Sequence, residues 1–446
     1  MTSCPSKACA LLGFATILLS SPTLADDWPQ WRGPQRDGIW RESGLRDNIP
    51  SKGLPERWRV PVALGYAGPA VADGKVYLFE YEQNEGKRKN SPGGRPKLSG
   101  VERVRCLSSS NGDELWRYEY ERAYNISYPS GPRCTPTVDG DLVYVLGAEG
   151  DLTCLQTSDG SPVWKKSFQD DYGAKTPIWG HSAHPLIDGD TLYCLVGGEG
   201  QVAVALDKRT GKQRWRSLSA SEPGYCPPIM MQLAGKQQLV VFYPLAVCGL
   251  DPQNGQQHWS IPIEPSYAMS IAQPMITGDR IFTSGYNASV CFKLPTGKGD
   301  PDVLWSGTPK TSVSSANVTP IFDGQTIYGV DANDSVLAAV DPATGERIWQ
   351  TKQPTVGEGK RGRHGTTFLV RQGETDRYWL FNELGDLILA RLQPSGYEEL
   401  GRQHLLKPTG EAFGRSVVWS HPAFAEQAVF VRNDEELVCV DVAGSR

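Results

Sequence analysis

Four of the six histidines in this 446-residue chain, His181, His184, His364 and His421, fall just ahead of a β-strand pattern. The equivalent segments elsewhere carry Tyr66, Arg133, Tyr225, Asn317, Arg363 and Arg415. Phenol, imidazole, carboxamide and guanidinium groups hold polar ligands by hydrogen bonds. If the fold converges these segments, they make one site; if it does not, they bond strand ends in a narrow wet channel. Arg133, Arg363 and Arg415 would suit an anionic ligand such as a carboxylate, a phosphate or an acidic sugar. His181 and His184 form H-x-x-H outside any helical pattern, so no ligand geometry is fixed and a metal is not expected there. Gly357 to Gly365 lacks the spacing of a phosphate loop, and neither G-x-S-x-G nor H-E-x-x-H occurs.

The elements that must position these residues repeat along the chain. A-L-D-K-R-T-G-K-Q-R-W (205–215) returns as A-V-D-P-A-T-G-E-R-I-W (339–349) and G-L-D-P-Q-N-G-Q-Q-H-W (249–259), with degenerate copies at 106–116 and 154–164. Each copy follows a strand, an Asp-Gly-type turn and a second strand with Tyr or Phe, as in P-T-V-D-G-D-L-V-Y (136–144). Asp-Gly between alternating apolar residues signals a tight hairpin, because both turn residues tolerate positive φ. In Asp-x-x-x-Gly, Asp bonds its own backbone and Gly turns the chain toward a last strand carrying Trp. Four antiparallel strands per unit make a propeller blade.

First strands begin near 69, 136, 185, 227, 274, 320, 366 and 422, which predicts an all-β, eight-bladed propeller. The last unit stops after three strands, while Leu54 to Val60 is an orphan strand around Trp58. That strand is expected to complete the last blade and close the ring over residues 54–446, removing exposed sheet edges. Trp58, Trp116, Trp164, Trp215, Trp259, Trp305 and Trp349 are read as structural blade-docking residues, and the seventh unit lacks its Trp. Glu80 to Gly100 replaces a short turn and has the composition of a flexible loop, solvated or docking a partner.

Composition bounds the function. Net charge is −5, which argues against nucleic-acid binding. Lys7, the apolar run Ala8 to Leu19 and Thr23-Leu24-Ala25 read as a signal peptide over residues 1–25 cleaved after Ala25, followed by an N-terminal extension over 26–53. No later apolar run could span a bilayer. The eight mature cysteines include no C-x-x-C, and three stand where Ala occurs in other repeats, so buried thiols are expected over disulfides.

The motif A-x-D-x-x-x-G-x-x-x-W resembles the tryptophan-docking repeat of the quinoprotein dehydrogenase family, which uses pyrroloquinoline quinone (PQQ), and of the BamB-type periplasmic assembly lipoproteins of the same eight-bladed fold. The opening D-W-P-Q-W-R-G-P-Q-R-D-G (27–38) resembles the start of secreted PQQ-repeat proteins of planctomycete type. A catalytic quinoprotein is implied to need a Glu/Asn/Asp calcium site, a catalytic Asp and often adjacent cysteines; no adjacent pair exists here. The expectation is therefore a periplasmic or secreted, monomeric, non-catalytic propeller without cofactor, binding a protein or carbohydrate at one face. The alternative is a PQQ- and Ca2+-dependent oxidoreductase of alcohols or sugars.

Overall fold

The computed structural model describes residues 1, 26–295, 299–360 and 362–444; the expected signal segment, residues 2–25 in particular, lies outside them. Eight antiparallel four-stranded sheets form the ring, and their first strands begin within two residues of the sequence expectation. Blade one runs Ala70–Ala72, Lys75–Glu85, Lys97–Ser108 and Glu114–Glu121, and blade seven ends in Gly396–His404. Blade eight holds Ala423–Ala425, Ala428–Arg432 and Glu436–Asp441, and Glu56–Pro61 pairs antiparallel with the last of these, Trp58 opposite Cys439. The first and last strands of the ring thus share one sheet, and the ring is closed as expected.

The repeat residues do the same work around the ring. In every blade the register shifts beside the third-strand residue that faces the Trp position, as between Ala205 and Leu206 opposite Trp215. Such a bulge re-aims one side chain. Six of the seven indoles then donate to a backbone carbonyl in the next blade's turn: Trp58 to Ser109, Trp116 to Thr157, Trp164 to Lys208, Trp215 to Pro252, Trp305 to Pro342 and Trp349 to Gln393. Trp259 instead donates to Gln238 Oε1 in its own blade. The turn glycine lies under the neighbouring indole; a Cβ on Gly211, whose φ is +68°, would stand 2.8 Å from Trp164. The repeat aspartates accept backbone N–H bonds inside their turns, Asp207 from Arg209 and Thr210 and Asp341 from Ala343. The eight cysteines among the described residues are buried and unpaired.

The 26–53 segment is built into the ring. Trp28 bridges Val71, and Arg32 and Arg36 enter the central channel. Arg36 donates to the carbonyls of His184 and Pro185, and Arg32 to those of Thr319 and Asp37. These bonds tie the inner ends of blades three and six to one short peptide. The segment leaves as Ile39–Trp40, pairing parallel to the inner strand of blade seven, with Trp40 packed between Trp379 and Phe424. Farther on, Ile49 lies over Gly401, which occupies the Trp position of blade seven opposite Leu389. The N-terminal chain fills the seam that the missing Trp would have filled.

The inserted hairpin of blade one is mostly exposed over residues 82–97, in keeping with its composition. Its strands continue to Glu85 and restart at Lys97, and Glu80 is fully buried beneath Arg103 at 2.6 Å. Its tip turns back over the ring, where Trp179 Nε1 donates to the Pro92 carbonyl.

Candidate functional site

The blade crossings do converge. At the mouth opposite the Arg32–Arg36 plug they wall a cavity of about 810 Å3, within the size range of small-ligand sites. Trp31 forms part of its floor. The Trp31 ring stacks on His184 at 4.9 Å, and its indole N–H donates to His421 Nε2 at 3.3 Å. The channel is therefore a blind pocket.

Eight of the ten expected residues line it: Tyr66, Arg133, His184 and Tyr225 on one side, Asn317, Arg363, His364 and His421 on the other. Two do not. His181 turns into the seam behind the wall, edge-on to Phe168 at 5.1 Å, with both ring nitrogens unpartnered. Arg415 sits behind Phe413, its guanidinium held by both oxygens of buried Glu383, at 2.7 and 3.0 Å, and by the Arg363 carbonyl.

The cationic reading also needs correction. Arg133 spends its donors on the carbonyls of Ser127, Tyr128, Gly131 and Trp179 while covering the Tyr66 ring. Arg133 keeps one N–H of the guanidinium's five, whereas Arg363 gives up one, to Tyr286 Oη. Glu222 is the one carboxylate among the lining residues. The lining thus carries two guanidinium groups, Arg133 and Arg363, against one carboxylate.

Aromatic rings dominate the wall instead. Tyr267 stacks on Tyr286 at 6.2 Å, Tyr286 meets His364 at 4.9 Å, and His364 stacks on Phe413 at 4.9 Å. The belt continues through Tyr128 and Trp419 to Tyr66, in steps of 6.4, 5.7 and 6.4 Å. Across the bowl Trp179 packs on Tyr225 at 5.5 Å. Four belt members, Tyr128, Tyr267, His364 and Phe413, hold φ between 48° and 59°, as does Ala268 beside them. A bulky residue in the left-handed region is strained, and such strain collects at ligand sites.

The polar groups left over are few and neutral. The hydroxyls of Tyr128 and Tyr225 and both nitrogens of His184 are buried without a hydrogen-bond partner. Burial pushes His421 down to about 3 and His364 down to about 4, aided by Arg32 in the first case and by Arg363 and Arg415 in the second. Burial, with His421 and Arg36 nearby, holds His184 well below the usual imidazole range. Sequence reasoning missed Trp31, Tyr128, Tyr267, Tyr286, Phe413 and Trp419. All but Trp31 and Tyr286 lie in the blade crossings, so aromatic enrichment there was the available signal.

These residues do not fit a calcium–quinone pair. One lining carboxylate cannot make a calcium site, and among the described residues no group of three or more His, Cys, Asp or Glu is spaced to hold a metal ion. No helix among the described residues is long and apolar enough to cross a membrane.

A family model described as outer membrane protein assembly factor BamB matches residues 100–351. BamB of Burkholderia pseudomallei (strain K96243) is 22% identical over 267 residues, covering 52% of this chain and 69% of its own. BamB of Bordetella pertussis is 25% identical over 233 residues, covering 49% and 55%. The chain therefore spans between about half and two thirds of the curated relatives it matches. Among solved structures, BamB from Moraxella catarrhalis superposes with a TM-score of 0.55 at 13% identity, covering 88% of this chain and 99% of that one. A quinohemoprotein alcohol dehydrogenase from Pseudomonas putida HK5 gives 0.57 at 11% identity, covering 94% and 81%. These two likenesses carry the fold alone. The family match spans more than half of the sequence and falls on the repeats whose tryptophans and glycines dock blade to blade: the chain belongs to the BamB family of PQQ-like propellers.

Proposed function

We propose that this protein is an exported, monomeric, non-catalytic propeller that binds its target in the aromatic pocket at one mouth of the ring. The observation that carries this reading is the pocket itself: blind at its floor, walled by stacked rings, and held by strained backbone at five lining positions. Binding sites are concave, largely apolar and furnished with a few unpartnered polar groups, and this one has that make-up. Membership of a family described as an outer membrane protein assembly factor supports a place in the cell envelope, as does the expected signal segment. The mature chain is expected to start at Asp26, which N-terminal sequencing of the exported protein reads directly.

Site-specific photo-crosslinking tests the binding face. A benzoylphenylalanine at Tyr267, on the pocket rim and 74% exposed, should give discrete adducts in intact cells. The same group at Ile348, on the outer strand of blade six, should not. Equal labelling at both positions would sink the reading. Titration with PQQ and Ca2+ should give neither stoichiometric binding nor dye-linked alcohol oxidation; tight binding with turnover would make the protein a quinoprotein oxidoreductase instead.

A further inference from the structure

We propose that the pocket takes the end of a neutral oligosaccharide, a pyranose laid against the ring faces of its aromatic belt; this rests on the pocket being the binding face proposed above. A pyranose has a C–H face that packs on aromatic rings and an edge of hydroxyls that each donate and accept. The pocket offers both partners. Tyr66, Trp179, Tyr267 and Trp419 put ring surface on its lining, Tyr267 being 74% exposed, where aromatic area and C–H contacts add binding energy. The Tyr128 and Tyr225 hydroxyls and the neutral His184 ring are buried at its wall, and each can donate and accept once a ligand reaches it.

Charge and shape narrow the choice. An anionic ligand would find Arg133 largely spent on carbonyls and Arg415 held by Glu383, leaving Arg363 alone to pair its charge. An extended peptide added as a strand needs an open sheet edge, and this wall is made of crossing loops and side chains. The floor of Trp31, His184 and His421 stops a chain from threading through, so the ligand enters by an end. The left-handed backbone at Tyr267, His364 and Phe413 fixes the rings before the ligand arrives, which lowers the ordering cost of binding.

The test is calorimetry and saturation-transfer NMR on the mature chain with cello-, malto-, xylo-, manno- and N-acetylchito-hexaose. An acidic oligosaccharide, trigalacturonate, serves as the contrast. At least one neutral hexaose should bind, with an affinity that changes little between about 0.05 and 0.5 M salt. Trp179→Ala and Tyr267→Ala should each weaken it by about tenfold or more, the loss of one good stacking contact. Tyr267 is largely exposed, so its variant keeps the fold, and Ile348→Ala on the outer surface should bind as wild type. The proposal fails if no neutral hexaose binds, if binding survives both substitutions, or if only trigalacturonate binds and salt abolishes it. Adducts to a protein at position 267 with no saccharide binding would overturn the glycan and keep the binding face. Loss of both signals would remove both.

Discussion

Gly401 shows how one residue reports a packing solution. Seven blades put Trp at its position; in blade seven the N-terminal chain occupies that volume. A Cβ on Gly401 would stand 2.8 Å from Ile49 Cβ and 2.9 Å from its backbone N and O. Backbone cannot swing away as a side-chain tip can. Gly401→Ala is expected to cost about 1–3 kcal/mol by overpacking, read as a lower urea midpoint with unchanged slope. The buried imidazoles set a second residue-scale expectation. His181, pushed down to about 3 by burial, is neutral when folded and regains its ordinary value near 6.5 when unfolded. Between those values the unfolded chain binds more protons, so stability falls as pH drops from about 6.5 toward 3. Thermal unfolding should show that loss, and His181→Leu should flatten the slope; an unchanged slope would show that His181 does not drive it. Most pocket residues were legible because each crossing follows a recognisable strand motif. His181 and Arg415 were not, because the seam against Phe168 and the Glu383 carboxylate depend on partners 13 and 32 residues away.

Elements were readable wherever the repeat held, and the least readable one was the N-terminal segment, which belongs to no repeat. Its role follows from burial. Arg32 and Arg36 sit in the channel with no carboxylate partner, and burial pulls both down to about 10. They are retained there by carbonyls at the inner ends of blades three and six, so the segment acts as a cross-tie and as the pocket floor. The loop of blade one keeps the exposure its composition suggested, while its tip is held through the Pro92 carbonyl. Removing residues 26–40 should lower the melting temperature and raise hydrogen exchange at 184–186 and 319–321, where the arginine bonds are lost. Exchange confined to residues beyond 40 would show that the tie bears no load. The docking indoles predict a sharper effect. Trp215→Ala removes a buried ring and its bond to Pro252, and should cost about 3–5 kcal/mol. Trp215→Phe should fall between, losing the hydrogen bond and part of the volume.

At the scale of the whole molecule, the question is whether eight similar blades unfold one at a time or together. An open array of repeats can fray from its ends, since each unit contacts only its neighbours. This ring has no free end. Glu56–Pro61 is hydrogen-bonded to the last strand, each blade docks on the next, and residues 26–53 touch blades one, three, six, seven and eight. Losing one blade would expose two sheet faces and break the clasp, so partial states are costly. The cysteines report on this without added labels. The eight among the described residues are buried, spread over blades one to five, the crossings before blades two and four, and blade eight, and burial raises every one of these thiols. In native buffer a thiol reagent should therefore label none of them. Across a urea titration the eight should become reactive in one transition, coincident with the loss of β-sheet circular dichroism. Reactivity of Cys439 well before Cys194 or Cys248 would mean that the clasp at Trp58 opens first and that the closed ring unfolds as an open array would.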